Sequence, residues 1–201
     1  MANIFTDYAH DVDLSFYDTQ GDSIRLQHDQ HVMNANQASY TLNLPMRQYM
    51  HLAAANVVGN AVVRLSNDEH CHKSVLQQVQ GDTIDSHTTG LFTARLPMKV
   101  LEGVSQNFDV HLYMANCATS LVIDTIGSGI RDLKVFSTGF ATRFNVADSS
   151  YVFDHSPIVR AKEVPADVAG IQAFCSVNYP SPERVTRTVI ETTDPFISEE
   201  S

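Results

Sequence analysis

The sequence predicts an all-β protein built from two β-sandwiches. Two observations carry that reading. Apolar residues recur with a period of two, not 3.6, and turn-forming residues punctuate many short alternating runs along the 201 residues. That combination is the signature of antiparallel sandwiches. The length suits two β-domains of about 100 residues each. A composition of 43% hydrophobic and 18% charged residues is that of a chain able to bury a core.

The elements follow in order. Val12, Leu14 and Phe16 alternate with polar neighbours, Gln20-Gly21-Asp22 is a turn, and Ile24 and Leu26 restart the alternation, which reads as a hairpin. Tyr40–Leu44 reads as a third strand, stopped by Pro45. Arg47–Ala53 reads as a fourth, with Tyr49, His51 and Ala53 on one face, and Leu91–Leu96 continues the pattern. One segment departs from it. Ser66-Asn67-Asp68-Glu69 has the capping-box form, Val75, Leu76 and Val79 follow at helical spacing, and Gly81 closes the run. This predicts one short helix over about 67–80 at a sheet edge.

A second set of strands follows Pro97–Gln106. Phe108–Leu112 alternates sharply, and Ser120–Asp124 carries Leu121 and Ile123. Gly127-Ser128-Gly129 is a turn. Leu133–Ser137 and Phe140–Phe144 read as strands paired around Thr138-Gly139. Tyr151–Phe153, Ile171–Val177 and Arg184–Glu191 complete the set, with a turn-rich loop at Asn178–Pro182. The boundary falls near Leu101–Gln106, giving an N-terminal sandwich over 1–103 and a C-terminal one over 104–201. The tail, Glu199–Ser201, reads as frayed.

Charge narrows the partners. Thirteen Lys and Arg against 23 Asp and Glu give −10, which excludes binding to a phosphate backbone and to an anionic membrane surface. No apolar run reaches the ~18–20 residues that span a bilayer. Met1-Ala2-Asn3-Ile4-Phe5 lacks the basic and apolar regions of a signal peptide. Either the protein stays in the cytosol or a signal has been removed ahead of Met1, and composition leaves both open. Cys71, Cys117 and Cys175 are far apart with no C-x-x-C, which excludes a disulfide scaffold and predicts three buried thiols.

Catalytic templates are missing. The chain has no G-x-S-x-G, P-loop, dinucleotide-binding or H-E-x-x-H motif. Ser, His and Asp are plentiful, so a triad assembled in space stays open, with nothing favouring one. Asp68-Glu69-His70-Cys71-His72 is the densest ligand cluster. On the predicted helix, His70 and His72 point in opposing directions and do not chelate together, so the cluster reads as a solvated helix start. Asp82-x-x-Asp85-x-His87 lacks calcium-loop spacing and reads as a turn. His28-x-x-His31 reads as solvated, and His51 and His111 as strand histidines in a core or at its rim. Phe108, Val110, Leu112, Leu121 and Ile123 read as one core stripe, beside which Tyr113 and Met114 could line a pocket.

Three stretches carry a family resemblance. Val12–Asp22, "VDLSFYDTQGD", is similar to the opening strand and turn of the FimB-type fimbrial anchor family of Bacteroidales. Tyr40–Asn56, "YTLNLPMRQYMHLAAAN", is similar to its L-x-L-P-x-G-x-Y strand pair, and Leu91–Asp124 to its inter-domain crossing. The chain departs from the family at Arg47 and Gln48, where a turn Gly stands, and at Ala53–Asn56 in place of Trp-Gly. The lipidated cysteine is absent from this chain, and family members continue past Ile190–Phe196, so the second sandwich is expected to be incomplete. The resemblance implies two transthyretin-like sandwiches in a non-catalytic, cofactor-free protein. It implies a location at the cell outer membrane, held only through an N-terminal lipid, and strand donation with a fimbrial subunit as partner. It places a groove in the second sandwich, bordered by Phe140, Phe144, Val185 and Val189, residues whose bland reading is plain core. The alternative function is a sandwich module binding carbohydrate or another small ligand, with Tyr8, Tyr17, Tyr151 and Tyr179 as its exposed rings. A third is a hydrolase or metalloenzyme, which zinc bound near His70 and His72 would mark.

Overall fold

The computed structural model describes residues 8–20, 23–32, 39–66, 69–79, 81–126, 130, 132–154, 157–181 and 187–192. The fold is all-β. The first sheet contains β1 (Asp11–Asp18), β2 (Arg25–Val32), β3 (Arg47–Ala55), β7 (Phe92–Val100) and β8 (Tyr113–Met114), in the order β2-β1-β3-β7-β8. The second contains β4 (Val63–Ser66), β5 (Val75–Gln78), β11 (Arg143–Asn145) and β12 (Ser150–Val152), ordered β12-β11-β5-β4. The third joins β6 (Thr83–Asp85), β10 (Leu133–Thr138), β13 (Ile158–Arg160) and β16 (Arg187–Thr192) as β16-β10-β13-β6. The fourth, β14-β15-β9, uses β9 (Cys117–Asp124), β14 (Lys162–Val164) and β15 (Ile171–Asn178). Every pairing is antiparallel except β6 with β13.

The alternation in the first strands works as the sequence predicts. The β1–β2 hairpin forms, and β3 follows on the other side of β1. Val12, Leu14 and Phe16 face Ala53, Tyr49, Ala94 and Met98 in one core. The opposite face sends Tyr17, Leu52 and Ala54 into a second core with Val63, Leu76, Phe144, Val146 and Tyr179 from the second sheet. Because sheet side chains have period two, both faces of this sheet are buried by a single register. That register also buries Asp13, whose Oδ2 accepts from His28 Nε2 and Gln30 Nε2, both at 2.7 Å.

Four expectations need correction. The helix over 67–80 does not form. Cys71–Lys73 is a single 3-10 turn, and β5 pairs with β4 and β11. Val75 and Leu76 suit a strand as well as a helix, and two strand partners decide the matter. Asn67, Asp68 and Gln80 lie outside the described residues. Tyr40–Leu44 and Phe108–Leu112 are extended but join no ladder. Tyr40, Leu42, Leu44, Val110 and Leu112 still lay alternate side chains on the first core, so period two reports an extended chain over a core, not pairing. The predicted single stripe is accordingly split: Val110 and Leu112 pack in one cluster, Leu121 and Ile123 in another. Finally, β10 and β11 do not pair with each other. Gly139, at φ 97°, carries the chain from the third sheet to the second.

Strands from the two predicted halves also share sheets. β5 pairs with β11 and β6 with β13, so hydrogen bonds cross the boundary expected at residue 103. Of the three cysteines, all free, Cys71 alone is buried, while Cys117 is exposed and Cys175 half-buried. The predicted turns at 21–22 and 127–129 and the tail at 199–201 lie outside the described residues.

Candidate functional site: an open sandwich side

The third and fourth sheets pack face to face. β10 turns Leu133 and Val135 inward, where they meet Phe174 of β15 and the half-buried Leu121 and Ile123 of β9. On one side the pair is closed by the chain itself. β13 passes to β14 through the single residue Ala161, stepping from one sheet to the facing one.

The other side is not closed. β16 lies next to β10 on the flank away from β13, and β9 lies next to β15 on the flank away from β14. Both are terminal strands on the same side of the sandwich. Among the described residues neither has a partner on its outer edge. Register fixes which side chains face the gap. Ile190 stands opposite Val135 and Thr188 opposite Ser137, so Thr188 and Ile190 share the inward face of β16. Ile190 nevertheless remains 45% exposed. The result is an apolar trough with Leu133, Val135 and Phe174 as its floor and Leu121, Ile123 and Ile190 at its rims. Among the described residues, the outer backbone edges of both strands have no strand partner.

The residues predicted to border a groove are distributed differently. Phe140 is buried with Ile84 and Val159. Phe144 is buried in the core between the first two sheets, its ring 4.8 Å from that of Tyr151. Both are closed core residues and border no opening. Val189 lies on β16 but opposite Phe136, on the outer face, where Arg160 sits 5.9 Å from the Phe136 ring. Val185 lies outside the described residues. Of the four residues, Val189 alone lies on β16 among the described residues, on the face away from the trough. Val189 and Ile190 are adjacent and both apolar, so alternation alone does not say which points inward. Leu121 and Ile123 were legible as inward-facing, but nothing local marks them as rim residues.

The other candidates are structural. His87 is buried, with Nε2 2.8 Å from Gln78 Nε2 and Nδ1 3.1 Å from Asn116 Nδ2. A neutral imidazole has one N–H and one lone pair, so it does not accept from both amides. Turning the Gln78 amide end for end presents its otherwise unpaired Oε1 to Nε2–H, leaving Nδ1 to accept from Asn116. Burial holds the His87 pKa down to about 4. His51 is buried against the Phe16 ring at 4.3 Å, donates from Nδ1 to the Ser15 carbonyl at 3.1 Å, and is also lowered by burial. The His70 and His72 rings stack at 5.6 Å, and among the described residues no three His, Cys, Asp or Glu side chains gather as a metal site. His111, Asp82 and Asp85 are exposed. The side chain of His31 lies outside the description. Of the rings expected on the surface, Tyr17 and Tyr179 are fully buried and Tyr151 is half-buried, leaving Tyr8 exposed. Tyr113 and Met114 are exposed on β8. No helix is long and apolar enough to cross a membrane among the described residues.

No protein-family model matches the sequence, and a search of curated proteins returns no significant match. Solved structures do share its fold. A candidate polysaccharide-binding protein of Bacteroides thetaiotaomicron superposes with a TM-score of 0.73 at 14% identity, over 95% of this chain and 71% of that one. A candidate adhesin of the same organism gives a TM-score of 0.69 at 11% identity, over 96% and 72% of the two chains. The fimbrial anchor protein Mfa2 of Porphyromonas gingivalis gives 0.59 at 11% identity, over 92% and 69%. At these identities the likeness is one of fold.

Proposed function

We propose that this chain is a non-catalytic cell-surface component of the fimbrial-anchor and adhesin type, of the FimB kind, that binds a fimbrial subunit by β-strand addition. The observation that carries the reading is the open sandwich side, where two unpaired edge strands flank an apolar trough. An incoming strand would pair its backbone with β9 or β16 and drop alternate apolar side chains between Leu121, Ile123 and Ile190. The fold likeness to an adhesin and to a fimbrial anchor supports an adhesion role and a place at the cell surface, with outer-membrane attachment through an N-terminal lipid as the family resemblance implies. A non-catalytic role is supported by where the polar groups go. His28 is committed to a part-buried hydrogen bond with Asp13 of the neighbouring strand, and His87 to buried ones with Gln78 and Asn116.

The test is hydrogen exchange on the chain mixed with a fimbrial subunit from the same organism. Amides of β9 and β16 are expected to gain protection. Ile190→Asp is expected to weaken the complex at least tenfold, while Val189→Asp, one residue away on the outer face, leaves it intact. Equal effects from the two variants, or protection only at other strands, would overturn the assignment.

A second reading, saccharide binding, is favoured by the description of one fold neighbour as a candidate polysaccharide-binding protein. Its predicted aromatic platform is largely lost, because Tyr17 and Tyr179 are core.

A further inference from the structure

The end of the five-stranded sheet carries a concave site that strand addition does not use. The turn after β1, the approach to β3 and the exit of β7 enclose an open depression of about 350 Å³, lined chiefly by Gln20, Met46, Arg47, Gln48, Lys99 and Leu101. That volume lies at the lower end of small-molecule sites. Its walls are fixed. β3 and β7 pair through Gln48 with Lys99 and Arg47 with Val100. The Gln106 side chain accepts from the Leu101 N–H at 2.7 Å and donates to the Lys99 carbonyl at 3.2 Å, pinning the outgoing chain.

The chemistry of the lining is specific. Arg47 donates from Nη1 to Asp18 at 2.6 Å, which orients the guanidinium and leaves its other donors uncommitted among the described residues. The Lys99 ammonium and the Gln20 and Gln48 amides make no side-chain hydrogen bond or ion pair there. Among the described residues the lining carries two cations, Arg47 and Lys99, and the Asp18 carboxylate is paired with the first, so Lys99 is the uncompensated charge of the depression on a chain of net charge −10. Met46 and Leu101, 62% and 45% exposed, add apolar surface beside these donors.

A fitting ligand needs negative charge for the cations, hydroxyls for the amides, and a C–H face for Met46 and Leu101. An acidic peptide supplies them only by ordering several flexible side chains at once, which costs affinity. A long polyanion is repelled by the rest of the surface. A uronic acid residue supplies all three on one ring. We infer that this depression binds an acidic saccharide, with its carboxylate held by Arg47 and Lys99 and its hydroxyls by Gln20 and Gln48. The inference is independent of the strand-addition reading.

The test is an amide NMR titration of the full chain with trigalacturonate, using maltotriose and a hexa-aspartate peptide as comparisons. Trigalacturonate is expected to shift resonances at 20, 46–48 and 99–101, more weakly at high salt. Lys99→Gln is expected to reduce affinity roughly tenfold, the scale of one charge-assisted hydrogen bond. Lys162→Gln on β14 and Ile190→Asp are expected to leave it unchanged. The same spectra report whether each variant is folded, and Gln48→Ala offers a second, uncharged route to the same loss. Equal binding of maltotriose or hexa-aspartate, shifts elsewhere, no shifts, or loss of binding in Ile190→Asp would overturn the assignment.

Discussion

Acidification should unfold this protein partly through one histidine at the junction of its sheets. His87 contacts Gln78 of β5 and Asn116 ahead of β9, lies edge-on to Tyr179 at 5.0 Å, and gives its backbone N–H to Val177 of β15. Among the described residues no carboxylate contacts it, and burial lowers its pKa from 6.5 to about 4. The sign follows from linkage. A folded pKa below the unfolded one means that the unfolded chain binds the proton first, so stability falls as pH drops from about 6.5 towards 4. At about pH 5 the unfolded imidazole is almost wholly protonated and the folded one almost wholly neutral. The difference amounts to about 2 kcal/mol lost between pH 7 and pH 5, out of a total about three to seven times that for a typical protein. His51, whose pKa burial also lowers, adds a loss of the same sign, so the measurement is a difference. Urea unfolding at both pH values is compared for the native chain and for His87→Asn, whose Oδ1 can still accept from Asn116. The variant starts less stable at pH 7 but should lose about 2 kcal/mol less on acidification. An identical loss in both proteins would refute the assignment of His87 as a buried neutral residue.

Other outcomes follow from burial and backbone geometry. Phe144→Ala, which empties a closed core site, should cost about 3–5 kcal/mol in urea unfolding, whereas Val189→Ala on the outer face of β16 should stay within about 0.5 kcal/mol. Tyr179→Phe removes the buried hydroxyl that donates to the Leu76 carbonyl at 3.1 Å and should cost about 1 kcal/mol by the same assay. Gly170→Ala places a methyl 2.5 Å from Ile126 Cγ1 at a φ of +81°, so a loss of about 1–2 kcal/mol is expected. Pairing it with Ile126→Ala should recover the clash but not the backbone strain. Iodoacetamide should label exposed Cys117 well before buried Cys71, whose thiol burial pushes up, as read by mass spectrometry of the native protein.

The legible part of the fold is the part written in alternation. β1, β3, β7, β9, β10 and β15 carry apolar residues at alternate positions, and each forms where that pattern lies, whereas β2 pairs on through the polar run Gln27–His31 that reads as a connection. Failures occur where the pattern is true but underdetermined. Tyr40–Leu44 and Val110–Leu112 do alternate, and their inward side chains do reach a core, yet neither joins a strand ladder among the described residues. Val75-Leu76-Gln77-Gln78 fits two periods at once, and the choice is made by β4 and β11, the latter about 70 residues away in the chain. Gly139 reads as a hairpin turn because local sequence encodes a change of direction but not its destination.

The candidate site shows the same limit more sharply. Strand β16 contains Val189 and Ile190 side by side, and a slip of one residue exchanges them between the trough and the outer surface. Six consecutive pairings to β10, from Leu133 with Thr192 to Thr138 with Arg187, settle the matter in favour of Ile190. The trough itself has no sequence signature, because its opposite rim, Leu121 and Ile123, lies nearly seventy residues earlier and looks like any core stripe. What distinguishes a rim from a core is a missing neighbour, and no residue encodes its own missing neighbour. The acidic-saccharide site is hidden for the same reason: Arg47 and Lys99 meet only because β3 and β7 pair. If strand addition is the function, the inward residues of β9 and β16 should tolerate apolar exchange but not charge, while their outward neighbours tolerate both. A substitution scan along these two strands, scored for subunit binding against folding, reads that alternation directly. A flat profile along β16 would refute the assigned face even if the partner were correct.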